Sequence, residues 1–330
     1  MIEVLSTPPL NTVQDLGRNG CRRHGVSTSG VMDRLAFCAG NILLGNPEEA
    51  AGIEVQTYPF ELRFLADAPF ALTGADCEAK LDGQTLPPWW RTTARAGQRL
   101  KLHSPRSGAR AYLTFRGGVD VPVVLGSRST HLRGGFGGFK GRSLEKGDVL
   151  DVRHDADLRV DQEPRDLGAL PPELALPRRA GEDAQGSVHV RALRAGDYDL
   201  FPPAARAQFW RSEWKISHHS DRGGYRLLGP KLLLDAPIEM RSYGIVAGIV
   251  QVPPAGEPII QLSDANTAGG YPKIATVIEA DLWRLGQARL GSSIQFVETS
   301  YAEAVSAMEP NKTYLAHLRR IADLSRSLGR

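Results

Sequence analysis

Residues 262 to 276, LSDANTAGGYPKIAT, place a carboxylate, an amide, a hydroxyl, a phenol and an amine close together. Asp264, Asn266, Thr267, Tyr271 and Lys273 could together bind a carbonyl or carboxylate group, move a proton and offset developing negative charge. Gly269 and Gly270 sit among them, and glycine's freedom to take positive φ predicts a sharp turn that aims these groups at one point. A solvated hairpin tip uses the same residue types, so a second cluster is needed to give the pattern weight. SDRGGYRLLGP, residues 220 to 230, supplies it: Asp221, Arg222, Tyr225 and Arg226 flank another glycine pair. Two guanidinium groups four positions apart suit a clamp on a carboxylate or phosphate, because each offers a planar fork of donors. The competing reading for each arginine is a structural ion pair with a nearby acid.

The elements that must position these groups read as strands. Residues 274–278 form an apolar run between Pro272 and Asp281, and residues 244–262, GIVAGIVQVPPAGEPIIQL, read as two apolar strands joined by a proline- and glycine-rich loop that holds Glu257. Elsewhere short runs recur at 60–65, 100–102, 111–115 and 294–297, a spacing that favours barrels or sandwiches over a parallel α/β sheet. AGQRLKL (96–102), KGDVLDV (146–152) and LGSSIQF (290–296) share a turn glycine feeding an alternating strand, without a fixed period. LTGAD at 72–76 faintly echoes LSDAN at 262–266, the mark expected of two related halves.

Helices are few. One is expected over 32–44, and another begins near Ser300, where Ser300 and Glu303 make a capping-box pattern, with an interruption at Pro310. Beyond it Leu315, Leu318, Ile321, Leu324 and Leu328 form an apolar stripe that predicts docking on the protein's own core. The fold expected is mainly β, in two β-rich domains. An N-terminal β domain covers 1–154, a linker or long loop rich in proline, aspartate and arginine covers 155–186, and a C-terminal barrel domain with its terminal helix covers 187–330.

Composition excludes more than it selects. Forty basic and 37 acidic residues leave a net charge of +3 with no basic block, so no nucleic-acid partner is expected. Cys21, Cys38 and Cys77 are an odd number with no C-x-x-C pair, which argues against a disulfide framework. No apolar run approaches the roughly 20 residues that span a bilayer, and MIEVLSTPPL lacks a signal pattern, so a cytoplasmic protein is expected. GGFGGFKGRS at 134–143 does not fit the phosphate-loop spacing, and it reads as a plain surface loop or one facing a ligand or partner. His218 and His219 would point to opposite faces of a strand, and no metal site is expected. Ser27 and Ser29 do not make a nucleophile elbow.

The motif order SDRGGYRL, GIVAGIVQVPPAGEPI, SDANTAGGYPKIATVIEADL resembles the family of the second subunit of allophanate hydrolase and the C subunit of bacterial 5-oxoprolinase, also called KipA-like or biotin-dependent carboxyltransferase proteins. TVQDLGRNG (12–20), SGVMDRLA (29–36), LTGADCEA (72–79) and FRGGVDVPVVLGSRST (115–130) resemble it in the same order. The resemblance implies a cyclophilin-like β-barrel and a subunit of an ATP-dependent 5-oxoprolinase, which opens the lactam of 5-oxoproline to glutamate and is inactive without its partners. Those partners are a KipI-like (PxpB-type) subunit, of the first allophanate hydrolase subunit family, and a LamB/YcsF-like (PxpA-type) subunit. ATP, with Mg2+, would be bound by this chain or by a partner, and the lack of a Met-Lys pair of the kind that surrounds a biotinylated lysine predicts that no biotin is attached to this chain.

On this reading Arg222, Arg226, Tyr225, Asn266, Thr267, Gly269 and Gly270 bind substrate, while Asp264, Tyr271, Lys273 and Glu257 serve catalysis. Gln14, Asp15, Arg18, Asp33 and Arg116 match family motifs and belong to a partner interface or shared site. The family's commoner turn is Asn-Arg-Met-Gly-Tyr-Arg. Here Asp221 and Gly223 replace the asparagine and methionine, and the added carboxylate is expected to neutralise part of Arg222's charge. Two alternatives are a carboxyltransferase half of a urea carboxylase or allophanate-type biotin-dependent system, and a regulatory protein that binds a KipI-like kinase inhibitor.

Overall fold

The computed structural model describes residues 1–153, 166–176 and 187–327, and is mainly β. Two compact units emerge. The first comprises Met1–Arg18, Ser29–Pro177 and Asn311–Arg330, and the second Asn19–Thr28 and Arg178–Pro310. Most of the 155–186 segment expected as a linker lies outside the described residues. Within it Leu167–Gly168 pairs with Trp90–Ala94, and Pro172–Ala175 makes a helical turn.

In the first unit a seven-stranded and a six-stranded sheet face each other. The alternation BiBiB over Phe60–Phe64 sends Phe60, Leu62 and Phe64 inward, where they meet Phe70, Leu72 and Phe115 of the other sheet in one core. The rest of the six-stranded sheet is covered by the helix Arg34–Leu44, ten of whose eleven residues are buried. Asp33 caps that helix, accepting from Ala36 N–H at 2.9 Å, and Gly45 ends it in the left-handed region at φ 74°.

The final helix does not close the second half of the chain. Leu318 and Ala322 are buried with Phe37, Ala71 and Tyr112 of the first unit, while Ile321 and Leu324 are exposed and Leu328 lies outside the described residues. The expected stripe therefore docks through its N-terminal members, Leu318 buried and Leu315 partly buried against the same cluster. The interruption also falls elsewhere: Tyr301–Ser306 stops at Ala307, and Met308–Ser327 carries Pro310 in its first turn, where a missing N–H leaves no intrahelical bond unmade.

The second unit is a closed seven-stranded barrel in the order Val188–Arg194, Lys273–Val277, Ile249–Gln251, Ile259–Gln261, Gly224–Leu228, Glu213–Ile216, Ser293–Glu298. Closure is made by a parallel pairing of its first and last strands, Val188 opposite Ile294 through Ala192 opposite Glu298. Tyr225, Leu227, Val250, Ile260, Ala275 and Ile294 are buried, and the register places Tyr225, Ile260, Val250 and Ala275 opposite one another on one face. The helix Pro203–Arg211 lays Phe209 on Phe296, with ring centroids 4.5 Å apart. LTGAD lies within the strand Ala68–Asp76 whereas LSDAN forms a turn after Ile259–Gln261, so the echo between them does not extend to local structure.

Candidate functional site

The turn that opens at Leu262 leaves one barrel strand and enters the next, Lys273–Val277. Its glycines act by size and not by φ, since neither Gly269 nor Gly270 takes positive φ, contrary to the sequence expectation. A Cβ on Gly269 would stand 2.4 Å from Gln251 Nε2, and one on Gly270 3.0 Å from the Met240 carbonyl oxygen. What the turn requires is the close approach of neighbouring segments. Ala268–Gly269 pairs with Tyr243–Gly244 as a small antiparallel ribbon beside the barrel.

Lys273 is the centre of this arrangement. Its side chain is buried at 2% exposure, and its Nζ donates to the carbonyl oxygens of Gly269 (3.0 Å) and Tyr271 (3.1 Å). The face of the Tyr243 ring covers the same nitrogen, 3.2 Å from the ring centroid. Burial lowers the pKa of this ammonium from 10.5, while the Asp197 carboxylate pulls the other way. Asp197 Oδ2 accepts both the Lys273 backbone N–H, at 3.0 Å, and the Tyr243 hydroxyl. Burial first and this carboxylate second raise the Tyr243 phenol pKa. Gln251, 4% exposed, donates to the Tyr271 carbonyl oxygen at 3.4 Å. Asp197, Tyr243 and Gln251 were not singled out from sequence. Only Gln251, a polar residue within the apolar run IVQV, carries a signal there.

Arg222 and Arg226 occupy different environments. Arg222 is buried, and its Nε and one terminal nitrogen hold Asp264 at 2.8 and 3.2 Å, the ion pair that competed with the clamp reading. Arg226 is exposed on the strand Gly224–Leu228, whose alternation turns Tyr225 and Leu227 inward. Tyr225 is fully buried, its hydroxyl donating to the carbonyls of Leu285 and Ala288 at 3.1 and 3.3 Å. The Asp221 carboxylate caps the turn, accepting from Gly223 and Gly224 N–H at 2.7 and 3.3 Å, and Asp264 is an acid paired with Arg222. Asn266 and Tyr271 are exposed, and the Thr267 carbonyl accepts from Ile245 N–H at 3.1 Å. Glu257 pairs with Lys231 in the loop between Ile249–Gln251 and Ile259–Gln261.

The N-terminal motif residues build a buried polar network in the first unit. Asp15 accepts from Gly17 N–H (2.8 Å) and from the hydroxyls of Ser127 (2.6 Å) and Ser129 (2.5 Å). Gln14 donates to the Thr130 carbonyl at 3.2 Å, and Arg18 donates to that of Ser129 at 2.5 Å while stacking over Phe136. Asp33 is the helix cap, and Arg116 is half-buried where Gly117 and Gly118 turn at φ 81°. In the glycine loop 134–141, Gly134 N–H donates to His131 Nδ1, Gly135 N–H to the His131 carbonyl and Gly141 N–H to that of Gly137. Among the described residues there is no cluster of metal-ligating side chains, and no helix is long and apolar enough to cross a membrane.

The chain is 44% identical to the 5-oxoprolinase C subunit of Haemophilus influenzae, across 98% of this chain and 99% of that one. It is 39% identical to the corresponding C subunit of 5-oxoprolinase from Escherichia coli, across 96% and 97%. The structure of the Kluyveromyces lactis urea carboxylase superposes with a TM-score of 0.85 at 31% identity, covering 96% of this chain, which spans 29% of that much longer protein. Residues 24–298 match the model of the carboxyltransferase domain, subdomain A and B. Barrel, sandwich, motif order and full-length similarity agree, and the chain belongs to this carboxyltransferase family, in which its full-length relatives are C subunits of 5-oxoprolinase.

Proposed function

We propose that this chain is the C subunit of an ATP-dependent 5-oxoprolinase, acting with a KipI-like and a LamB/YcsF-like subunit to convert the 5-oxoproline lactam into L-glutamate. The observation that carries this reading is the two-way coverage: the similarity to the H. influenzae protein spans essentially all of both chains. In the reaction water adds a C–O bond at the lactam carbonyl, the ring C–N bond breaks, and the nitrogen takes up a proton to leave as the amine of glutamate. A lactam carbonyl is a weak electrophile, so a cation beside its oxygen is the first requirement.

Lys273 meets that requirement, as a buried ammonium fixed on a barrel strand. Asp264, held at two points by Arg222 on the turn leading to that strand, is the carboxylate that accepts a proton from water. Tyr271, exposed two residues before Lys273, faces solvent where substrate arrives. No step is assigned to ATP on this chain, whose glycine-rich loop departs from the phosphate-loop spacing, and nucleotide is assigned to a partner subunit.

The test is glutamate release from 5-oxoproline, with and without ATP, by this chain co-expressed with both partners. Glutamate that requires ATP and this chain, and falls in Lys273→Ala and Asp264→Asn, supports the reading. Release that persists when the chain is omitted overturns it. The superposition on a urea carboxylase favours a second reading, carboxyl transfer to a small amide. Activity that requires a biotinylated carrier and is abolished by avidin would select that reading.

A further inference from the structure

An ammonium group has three N–H donors, and at Lys273 all three directions are occupied. Two point at the carbonyl oxygens of Gly269 and Tyr271, and the third lies under the Tyr243 ring. In this arrangement the nitrogen has no donor left for a substrate oxygen. The two carbonyls belong to the turn that leads into the lysine's own strand, so they cannot leave without dismantling it. The ring can. Tyr243 is 42% exposed, and its segment joins the turn through a ribbon of only two residues per strand. Its hydroxyl is tied to Asp197, which is anchored independently by the Lys273 backbone N–H.

We propose that Tyr243 is a gate on the Lys273 amine, latched by Asp197, and that swinging its ring aside frees one N–H for a carbonyl or carboxylate oxygen of the substrate. The gate costs the lysine no rearrangement, because the substrate oxygen takes the place of the π face while both backbone acceptors stay where they are. Asp197 is the positioning residue, holding gate and strand with one carboxylate oxygen. This inference rests on Lys273 serving the substrate oxygen, as proposed above.

The test reads the amine directly. Acetic anhydride is applied to the folded chain and the acetylation rate of Lys273 is followed by peptide mass spectrometry, with the exposed Lys215 and Lys231 as internal references. Tyr243→Phe keeps the ring and removes the latch, and Tyr243→Leu removes the π face. A hydrogen bond to a carboxylate shifts an open–closed equilibrium by about tenfold or more, so Lys273 should acetylate about tenfold faster in Tyr243→Phe and at least as fast in Tyr243→Leu. Tyr243→Phe deletes one oxygen from a half-exposed ring, so it reports on the latch even where Tyr243→Leu loses stability. A Lys273 rate unchanged in both variants relative to the references would overturn the gate. No substrate or partner is needed, so failure of the glutamate assay leaves this result standing, and failure here leaves the lactam reading intact.

Discussion

Arg222 holds Asp264 across 42 residues of sequence, with two hydrogen bonds of 2.8 and 3.2 Å and 4% of the arginine side chain exposed. The pair ties the turn before one barrel strand to the turn before another. Removing one partner of such a buried pair costs about 3–5 kcal/mol, whereas removing both is much milder. Arg222→Met and Asp264→Asn should each lower the urea midpoint strongly, and the double variant should fall well short of their sum. Additive losses in this double-mutant cycle would mean that the pair is not coupled.

The turn glycine offers a second prediction. A methyl group at Gly269 would stand 2.4 Å from Gln251 Nε2, a side-chain end that can yield only by releasing the Tyr271 carbonyl. Gly269→Ala should therefore destabilise by about 1–3 kcal/mol, as overpacking does, and Gln251→Ala should recover much of that loss. Thermal melts of the two single variants and the double variant decide it, and absence of rescue would show that the strain lies in the backbone.

A third prediction concerns pH. Burial lowers the Lys273 ammonium pKa from 10.5, so near its folded-state pKa the unfolded chain binds more protons than the folded one. The cost of the buried charge is present at neutral pH and is relieved as pH rises through the folded pKa toward 10.5. The stability of the parent relative to Lys273→Met should thus increase across the alkaline range. Parallel stability curves for the two proteins between neutral and alkaline pH would contradict this.

The terminal helix gives the fourth. Leu318 is 5% exposed among Phe37, Ala71 and Tyr112, and Leu318→Ala should cost about 2–5 kcal/mol, whereas Leu324→Ala, at an exposed position, should cost little. Hydrogen exchange should register the loss in the helix Arg34–Leu44.

The strands were legible as short alternating or continuously apolar runs. The runs at 60–65, 100–102, 111–115 and 294–297 became Phe60–Phe64, Arg99–Leu102, Ser107–Phe115 and Ser293–Glu298. Lys273 and its turn were legible because so many polar types crowd one stretch. Asp197 was not, since it reaches Lys273 across 76 positions through a backbone N–H, a contact that no local pattern encodes. The role of the glycines was misjudged for a related reason. Glycine type reveals permissiveness, but only the fold shows whether φ or space is what it provides. The interruption near Pro310 was displaced because proline is as comfortable at the start of a helix as it is disruptive within one.

The barrel begins and ends on neighbouring strands, Val188–Arg194 beside Ser293–Glu298, before the chain goes on to supply Leu318 and Ala322 to the sandwich. In chain order the barrel therefore falls between two stretches of the first unit. During synthesis the ribosome delivers both sheets and the helix Arg34–Leu44 early, yet Leu318 and Ala322, which complete the cluster around Phe37 and Tyr112, follow only after the whole barrel has been made. The sandwich core is thus completed only after the barrel's strands exist.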